Sequence, residues 1–203
     1  MKYSHLKTTA LLFGVLFSGM NAAVAAPVTY KIDTAHSFAN WSVRHVVAKA
    51  SGTFNEITGN ISIDADNLAN SSVDAKINVL SVNSGLAKRD AHIKEKDYLN
   101  AGQFAEMRFV STKIEAKSAT EGMMTGKFTM NGVTKEIALP FKVLGFGNDP
   151  WGGERSGFEA KTSLKASDYG FGWGVKPNAP VGDDIEVTLL IEAVKPSAEK
   201  PKK

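Results

Sequence analysis

The stretch Asp33-Thr34-Ala35-His36-Ser37-Phe38-Ala39-Asn40-Trp41-Ser42-Val43-Arg44-His45 decides how this chain is read. Side chains alternate along a β-strand, so Ala39, Trp41, Val43 and His45 share one face and Asn40, Ser42 and Arg44 share the other. The first face carries apolar bulk and ends in an imidazole. It is either ordinary core with one satisfied histidine, or the wall of an apolar cavity with a polar group at its mouth. Asp33 and His36 precede the alternation and read as turn residues.

The same period of two recurs outward from this strand. Val73, Ala75, Ile77 and Val79 share a face, as do Phe158, Ala160, Thr162 and Leu164, and Ile185, Val187, Leu189, Ile191 and Ala193. Ile57, Ile61 and Ile63 make another strand, with Gly59 a bend or bulge, and Met107 and Phe109 belong to one that follows a turn at Gly102. Met130-Asn131-Gly132-Val133 predicts a two-residue type I′ hairpin, because Asn-Gly tolerates the positive φ values that turn needs. Pro140 has no N–H to give to a ladder and predicts an edge or bulge in the next strand. One helix is expected from Leu86 to Lys96, capped by Asn83 or Ser84 and docked through Leu86 and Ile93. About eight short-spaced strands with hairpin turns predict an all-β fold, an antiparallel barrel or sandwich, with that helix packed on it.

Three segments are expected: a leader at 1–25, one domain at 26–194 and a disordered Pro/Lys tail at 195–203. Lys2 and Lys7, the short apolar run Leu11 to Phe17 and the small residues Ala23-Val24-Ala25 fit a secretory signal cut before Ala26. That predicts an exported, unanchored protein, best suited to a periplasm. The chain has no cysteine, so neither disulfides nor thiol chemistry are expected. Removing the two leader lysines from 24 basic residues leaves 22 against 21 acidic ones, which argues against a nucleic-acid partner.

Catalytic and metal motifs are weak. His36, His45 and His92 follow no metal-ligand spacing, and no metal is expected. Ser37 is not embedded in a nucleophile elbow. Gly145-Phe146-Gly147 and Gly152-Gly153 precede no helix pattern and are not phosphate loops. Phe146, Trp151, Phe171 and Trp173 are either loop aromatics packed on a barrel end or the lining of a cavity mouth. Arg89, His92 and Lys96 form one helical stripe, either a solvated face or a polar rim.

An ordered set of motifs resembles the YceI-like family of periplasmic polyisoprenoid-binding proteins. It comprises Tyr30-Lys31-Ile32-Asp33, His36, Trp41-x-Val43-x-His45, Gly52-Thr53-Phe54 with Gly59, and Arg89-Asp90-x-His92-Ile93. Asp97-Tyr98-Leu99-Asn100, Met130 to Lys135 and Asp149-Pro150-Trp151-Gly152-Gly153 complete it. Trp41 stands where the family more often has Phe. The resemblance implies an eight-stranded lipocalin-like barrel holding an isoprenoid quinone or polyprenyl lipid, a stress context, and no catalytic activity.

On this reading Trp41, Val43, Phe54, Phe109, Phe128 and Leu189 line the lipid cavity. His45, Arg89 and His92 meet the headgroup. The bound polyisoprenoid is expected as ligand, with no cofactor and no membrane span, and the edge near Pro140 permits a homodimer. The rival readings are a small hydrolase-like enzyme using His45 or His92, and a filled barrel that serves as an interaction module.

Overall fold

The computed structural model describes residues 26–196. The expected leader at 1–25 and tail positions 197–203 lie outside the described residues.

Eight antiparallel strands follow one another around a closed ring. Strand β1 has two segments, Val28–Ile32 and Phe38–His45. Strand β2 comprises Ala48–Phe54 and Ile57–Ile63. Strand β3 comprises Ser72–Asn78 and Val82–Asn83. The others are continuous: β4 Glu106–Ala116, β5 Glu121–Met130, β6 Val133–Asn148, β7 Glu154–Lys165 and β8 Val181–Val194. Each strand pairs with its sequence neighbour, and β8 returns to β1 through Ile32↔Ala193 and Ala39↔Leu189.

The interruptions in β1, β2 and β3 lie side by side. A 3-10 turn, Thr34–His36, breaks β1, and another, Val79–Ser81, breaks β3. Between them the break in β2 is stitched by Asn55 N–H to the Ser81 carbonyl at 3.3 Å and by Thr34 Oγ1 to the Ile57 carbonyl at 2.8 Å. The result is a crease that crosses three strands.

The hairpin at Asn131-Gly132 has φ of 51° and 73°, the positive pair of a type I′ turn. Gly59 has φ of 136°, and a Cβ there would meet the Asp74 carbonyl, so the bend needs glycine. Pro140 marks a seam. The β6–β7 ladder spans Phe141 to Asn148, whereas Val133 to Pro140 pairs only with β5. Lys135 to Asp168 at 2.7 Å and Asn131 Nδ2 to the Tyr169 carbonyl at 2.9 Å close the far end of that seam.

The helix α1 spans Ala87–Ile93, shorter than expected, and neither Asn83 nor Ser84 caps it. Asn83 Oδ1 accepts from Gly85 N–H instead, and Ser84 donates to Asp90 through its N–H and its hydroxyl at 2.8 and 2.5 Å. Lys96 therefore falls beyond the helix and leaves the stripe. Leu86, expected to dock the helix, is 54% exposed; Ile93 does the docking.

The barrel base is packed. Ile32, Ile61, Ile63 and Ala193 are buried there, with Leu68 drawn in on a 3-10 turn. Asp64 fixes that turn by accepting from the Asp66 and Asn67 N–H groups and from Asn70 Nδ2.

Candidate functional site

The barrel encloses a cavity of about 420 Å³ whose lining runs from Ile32, Ile61, Ile63 and Leu68 at its floor to His45. It exists because large rings lie flat against inward glycines. Trp41 lies directly opposite Gly52, and Phe141 opposite Gly122. A Cβ on Gly52 would stand 2.5 Å from Trp41 Cζ2, and one on Gly122 would stand 2.8 Å from Phe141 Cζ. The Phe109 ring covers Gly126 in the same way. Each ring borrows the volume that a side chain would fill on the neighbouring strand, so aromatic wall does not become aromatic plug.

All nine residues singled out in the sequence face this space. Trp41, Val43, Phe54, Phe109, Phe128 and Leu189 form wall, and His45, Arg89 and His92 are at its open end. Inward residues are buried near the base and become exposed along β1 towards His45, which shows where the cavity opens. The wall is otherwise apolar except for Ser71, Tyr98, Glu159 and Thr162. Among the described residues Trp41 Nε1 is buried without an acceptor. A filled barrel, one of the rival readings, is corrected by this cavity.

The mouth is built from three pieces: the β1–β2 hairpin, α1 with the segment after it, and the segment between β7 and β8. Tyr98 and Trp173 join the lining. His92 packs edge-on to Tyr98 at 4.6 Å, Tyr98 stacks on Trp173 at 5.5 Å, and Trp173 stacks on Phe171 at 4.4 Å. The glycine-embedded aromatics thus divide: Phe171 and Trp173 serve the mouth, whereas Phe146 and Trp151 are exposed near the base. Arg89 is half tied, with Nε donating to Ser84 Oγ at 2.7 Å and Nη2 to the Ser84 carbonyl at 2.6 Å. No carboxylate lies within ion-pair distance of Arg89 among the described residues.

A second polar centre lies at the base, outside the cavity. Arg155 reaches Asp149 through Nε at 2.8 Å, and Asp33 at 2.8 Å and Glu192 through Nη1. Asp33 also accepts from His36 Nδ1 at 2.8 Å. Asp33, His36 and Glu192 come close enough together to suggest a cation site, but the guanidinium of Arg155 already lies between the two carboxylates. The His36 hydrogen bond, helped by Arg155, holds the Asp33 carboxyl below its ordinary range. Arg155 and the N–H groups of Gly153 and Trp151 do the same for Asp149. Burial, and then a hydrogen bond to Glu154, push the Tyr30 phenol up to about 12. Arg155 lies 122 positions from Asp33 and 37 from Glu192; such partners leave no local pattern, so sequence reading missed Arg155 and Glu192.

Comparison with known proteins agrees with this architecture. The family model for a YceI-like domain matches residues 30–193. A UPF0312 protein of Shewanella sp. strain MR-7 is 40% identical over 187 residues, covering 92% of this chain and 96% of its own. Among solved structures, the Campylobacter jejuni YCEI protein is 28% identical with a TM-score of 0.66, covering 73% of this chain and 86% of its own. Two more distant structures share the fold. Burkholderia cenocepacia BcnA has a TM-score of 0.72 at 22% identity, covering 80% of this chain and 99% of its own. A Saccharophagus degradans domain described as polyisoprenoid binding has a TM-score of 0.60 at 17% identity, covering 83% and 99%.

Proposed function

The chain belongs to the YceI-like domain family, and from that premise we propose that it is a periplasmic binding protein for a long-chain polyisoprenoid lipid. The tail occupies the barrel lumen and the headgroup meets the mouth. The observation that carries this reading is the distribution of polarity: a largely apolar lumen, closed at the base, that gathers His45, Arg89, His92 and Tyr98 at its open end. That matches a molecule with a long hydrocarbon tail and one polar end. The Saccharophagus domain's described ligand supports the same cargo class.

Each tail methylene taken from water is worth roughly 0.8 kcal/mol before the cost of ordering the chain. At the mouth, His45, His92 and the free Nη1 of Arg89 offer donors to a quinone carbonyl or a phosphate. No catalytic role is assigned. The nearest carboxylate to His92 is Glu95 at 4.0 Å, too distant to orient an imidazole as a base. Transport, storage and protection of the lipid under stress are all compatible roles.

Protein purified without detergent should release a prenyl lipid in stoichiometric amount on organic extraction, as read by mass spectrometry. Phospholipid traces alone, from a protein that also fails to take up added prenyl lipid, overturn the reading. Arg89→Gln with His92→Gln tests the headgroup role: headgroup-bearing isoprenoids should bind more weakly and a bare isoprenoid hydrocarbon about as before. Equal loss for both, or no loss for either, rejects it.

A further inference from the structure

The tip of the β1–β2 hairpin is Val46-Val47, and both residues break ordinary rules. Val47 is 97% exposed and Val46 54% exposed. Val46 also has φ of 52°, in the left-handed region that a β-branched side chain rarely enters. Asn or Gly would suit that position, and a polar residue would suit the exposure. The tip projects: β2 pairs with β3 no higher than Thr53↔Asn83, so Ala48 to Gly52 is paired to β1 alone.

The tip is continuous with the cavity. Val46 N–H donates to the Pro180 carbonyl at 2.7 Å, and Pro180 and His45 both line the opening. Two more exposed apolar residues belong to the mouth segments, Leu86 before α1 and Val175 between Trp173 and Pro180. Cations accompany them. Arg44, Lys88, Arg89, Lys94, Lys96 and Lys176 have no carboxylate within 4.0 Å among the described residues. Elsewhere on the barrel most cations are paired, as in Lys76–Glu106, Arg108–Asp74, Lys142–Glu121 and Lys165–Asp184. Asp90 and Glu95 lie among these cations and offset part of their charge, and Arg44 donates to the Val46 and Ala179 carbonyls. Exposed valines beside cations that make no close ion pair still complement a surface that is anionic outside and apolar beneath.

We propose that the mouth docks on an anionic phospholipid bilayer, with the Val46-Val47 tip entering the headgroup layer and the surrounding lysines meeting lipid phosphates. The inference rests on the lipid-cargo reading, because an insoluble isoprenoid is exchanged only where the opening meets a membrane. The cavity mouth and the docking surface are then one surface, and cargo passes between lumen and bilayer without crossing water.

The test is sedimentation with vesicles of equimolar phosphatidylcholine and phosphatidylglycerol, and with phosphatidylcholine alone. The expected result is binding to the mixed vesicles that weakens with added salt. The double variant Val46→Asn with Val47→Ser should bind them at least tenfold more weakly. Its unfolding midpoint should be no lower than that of the native chain, since Asn relieves the strained φ. Lys88→Gln with Lys96→Gln should also bind at least tenfold more weakly.

No binding of the native chain, or equal binding by the Val46/Val47 variant, overturns the proposal. So does a native dimer in solution that the tip variant dissolves while vesicle binding stays unchanged, because the tip is then a contact between copies. Loading is measured apart from vesicles, by adding prenyl lipid from detergent and extracting it. Tip-dependent vesicle binding by a protein that takes up no prenyl lipid leaves the docking surface standing and removes the cargo reading instead.

Discussion

Gly52→Ala tests why the lumen is open. The added methyl would stand 2.5 Å from Trp41 Cζ2, 2.8 Å from Cε2 and 2.6 Å from the Asn83 carbonyl oxygen. Carbon atoms rest at about 3.5 Å or more, so the indole must retreat by about 1 Å, and the lumen is the space it faces. Overpacking of this kind costs roughly 1–3 kcal/mol. In a domain of this size that lowers Tm by roughly 2–12 °C. The lifted ring also narrows the lumen, so uptake of prenyl lipid should fall. Part of the cost comes from the carbonyl and would persist without the indole, so the assay is a double-mutant cycle with Trp41→Leu, followed by urea unfolding and far-UV circular dichroism. Gly52→Ala should cost at least about 0.5 kcal/mol less in the Trp41→Leu background. The same cost in both backgrounds refutes the stacking argument.

Acid should act through the base network. The carboxyls of Asp33 and Asp149 are held below their ordinary 3.8, so their contribution is complete above that pH and is lost as pH falls through the lower folded-state values. The urea midpoint should therefore fall below about pH 4, and Arg155→Met should flatten that decline; an unchanged pH profile counts against the network. Tyr30 has the opposite sign. With its phenol pushed from 10.0 to about 12, its contribution is complete below pH 10 and fades as pH rises towards 12. Burial also pushes the Tyr169 phenol up, so an alkaline absorbance titration should show two late tyrosines, of which Tyr30→Phe removes one. Along the seam, amides of 136–139 and 161–165 that face across it should exchange with solvent faster than those of Phe141 to Val143. Uniform protection of both halves of β6, read by hydrogen exchange, would mean that the ladder continues past Pro140.

Much of the barrel was legible because its wall is built from local alternation. Trp41-x-Val43-x-His45 points one way in any strand, and Asn131-Gly132 forms the same turn in any hairpin. Pro140 carried its consequence too: the ladder to β7 stops beside it, whereas the ladder to β5 runs on through it to Lys142. The helix misread has a local cause as well: Asp90 draws in Ser84, so the residue expected as a cap is occupied by a different bond. What sequence could not supply was pairing across the ring. Nothing near Gly52, Gly122 or Gly126 announces that an aromatic ring from the adjoining strand will lie over it. Nothing near Arg155 names Asp33, 122 positions away, as its partner. The wall residues of the site follow from periodicity, whereas the openness of the space they enclose follows from register, which alternation leaves to the turns. The Asn131-Gly132 hairpin sets Gly122 opposite Phe141, but no comparably strong turn signal marks the hairpin that sets Gly52 opposite Trp41.

The crease across β1, β2 and β3 gives the barrel two mechanical regimes. Below it, Tyr30, Ile61 and Val73 belong to strands paired on both sides and closed into a ring. Above it, the β1–β2 hairpin is tied to the wall by β8 and by the short Val82–Asn83 segment. Backbone ladders transmit displacement along a strand only where they are continuous, and these three are not. A bulky molecule that forces the rim outward therefore bends the hairpin at the crease and leaves the packed floor undisturbed. Strands β4 to β8 are unbroken, so the compliance belongs to one side: a stiff cup with a single hinged lip. Any widening of the mouth then falls on that lip, away from the ladders that close the base.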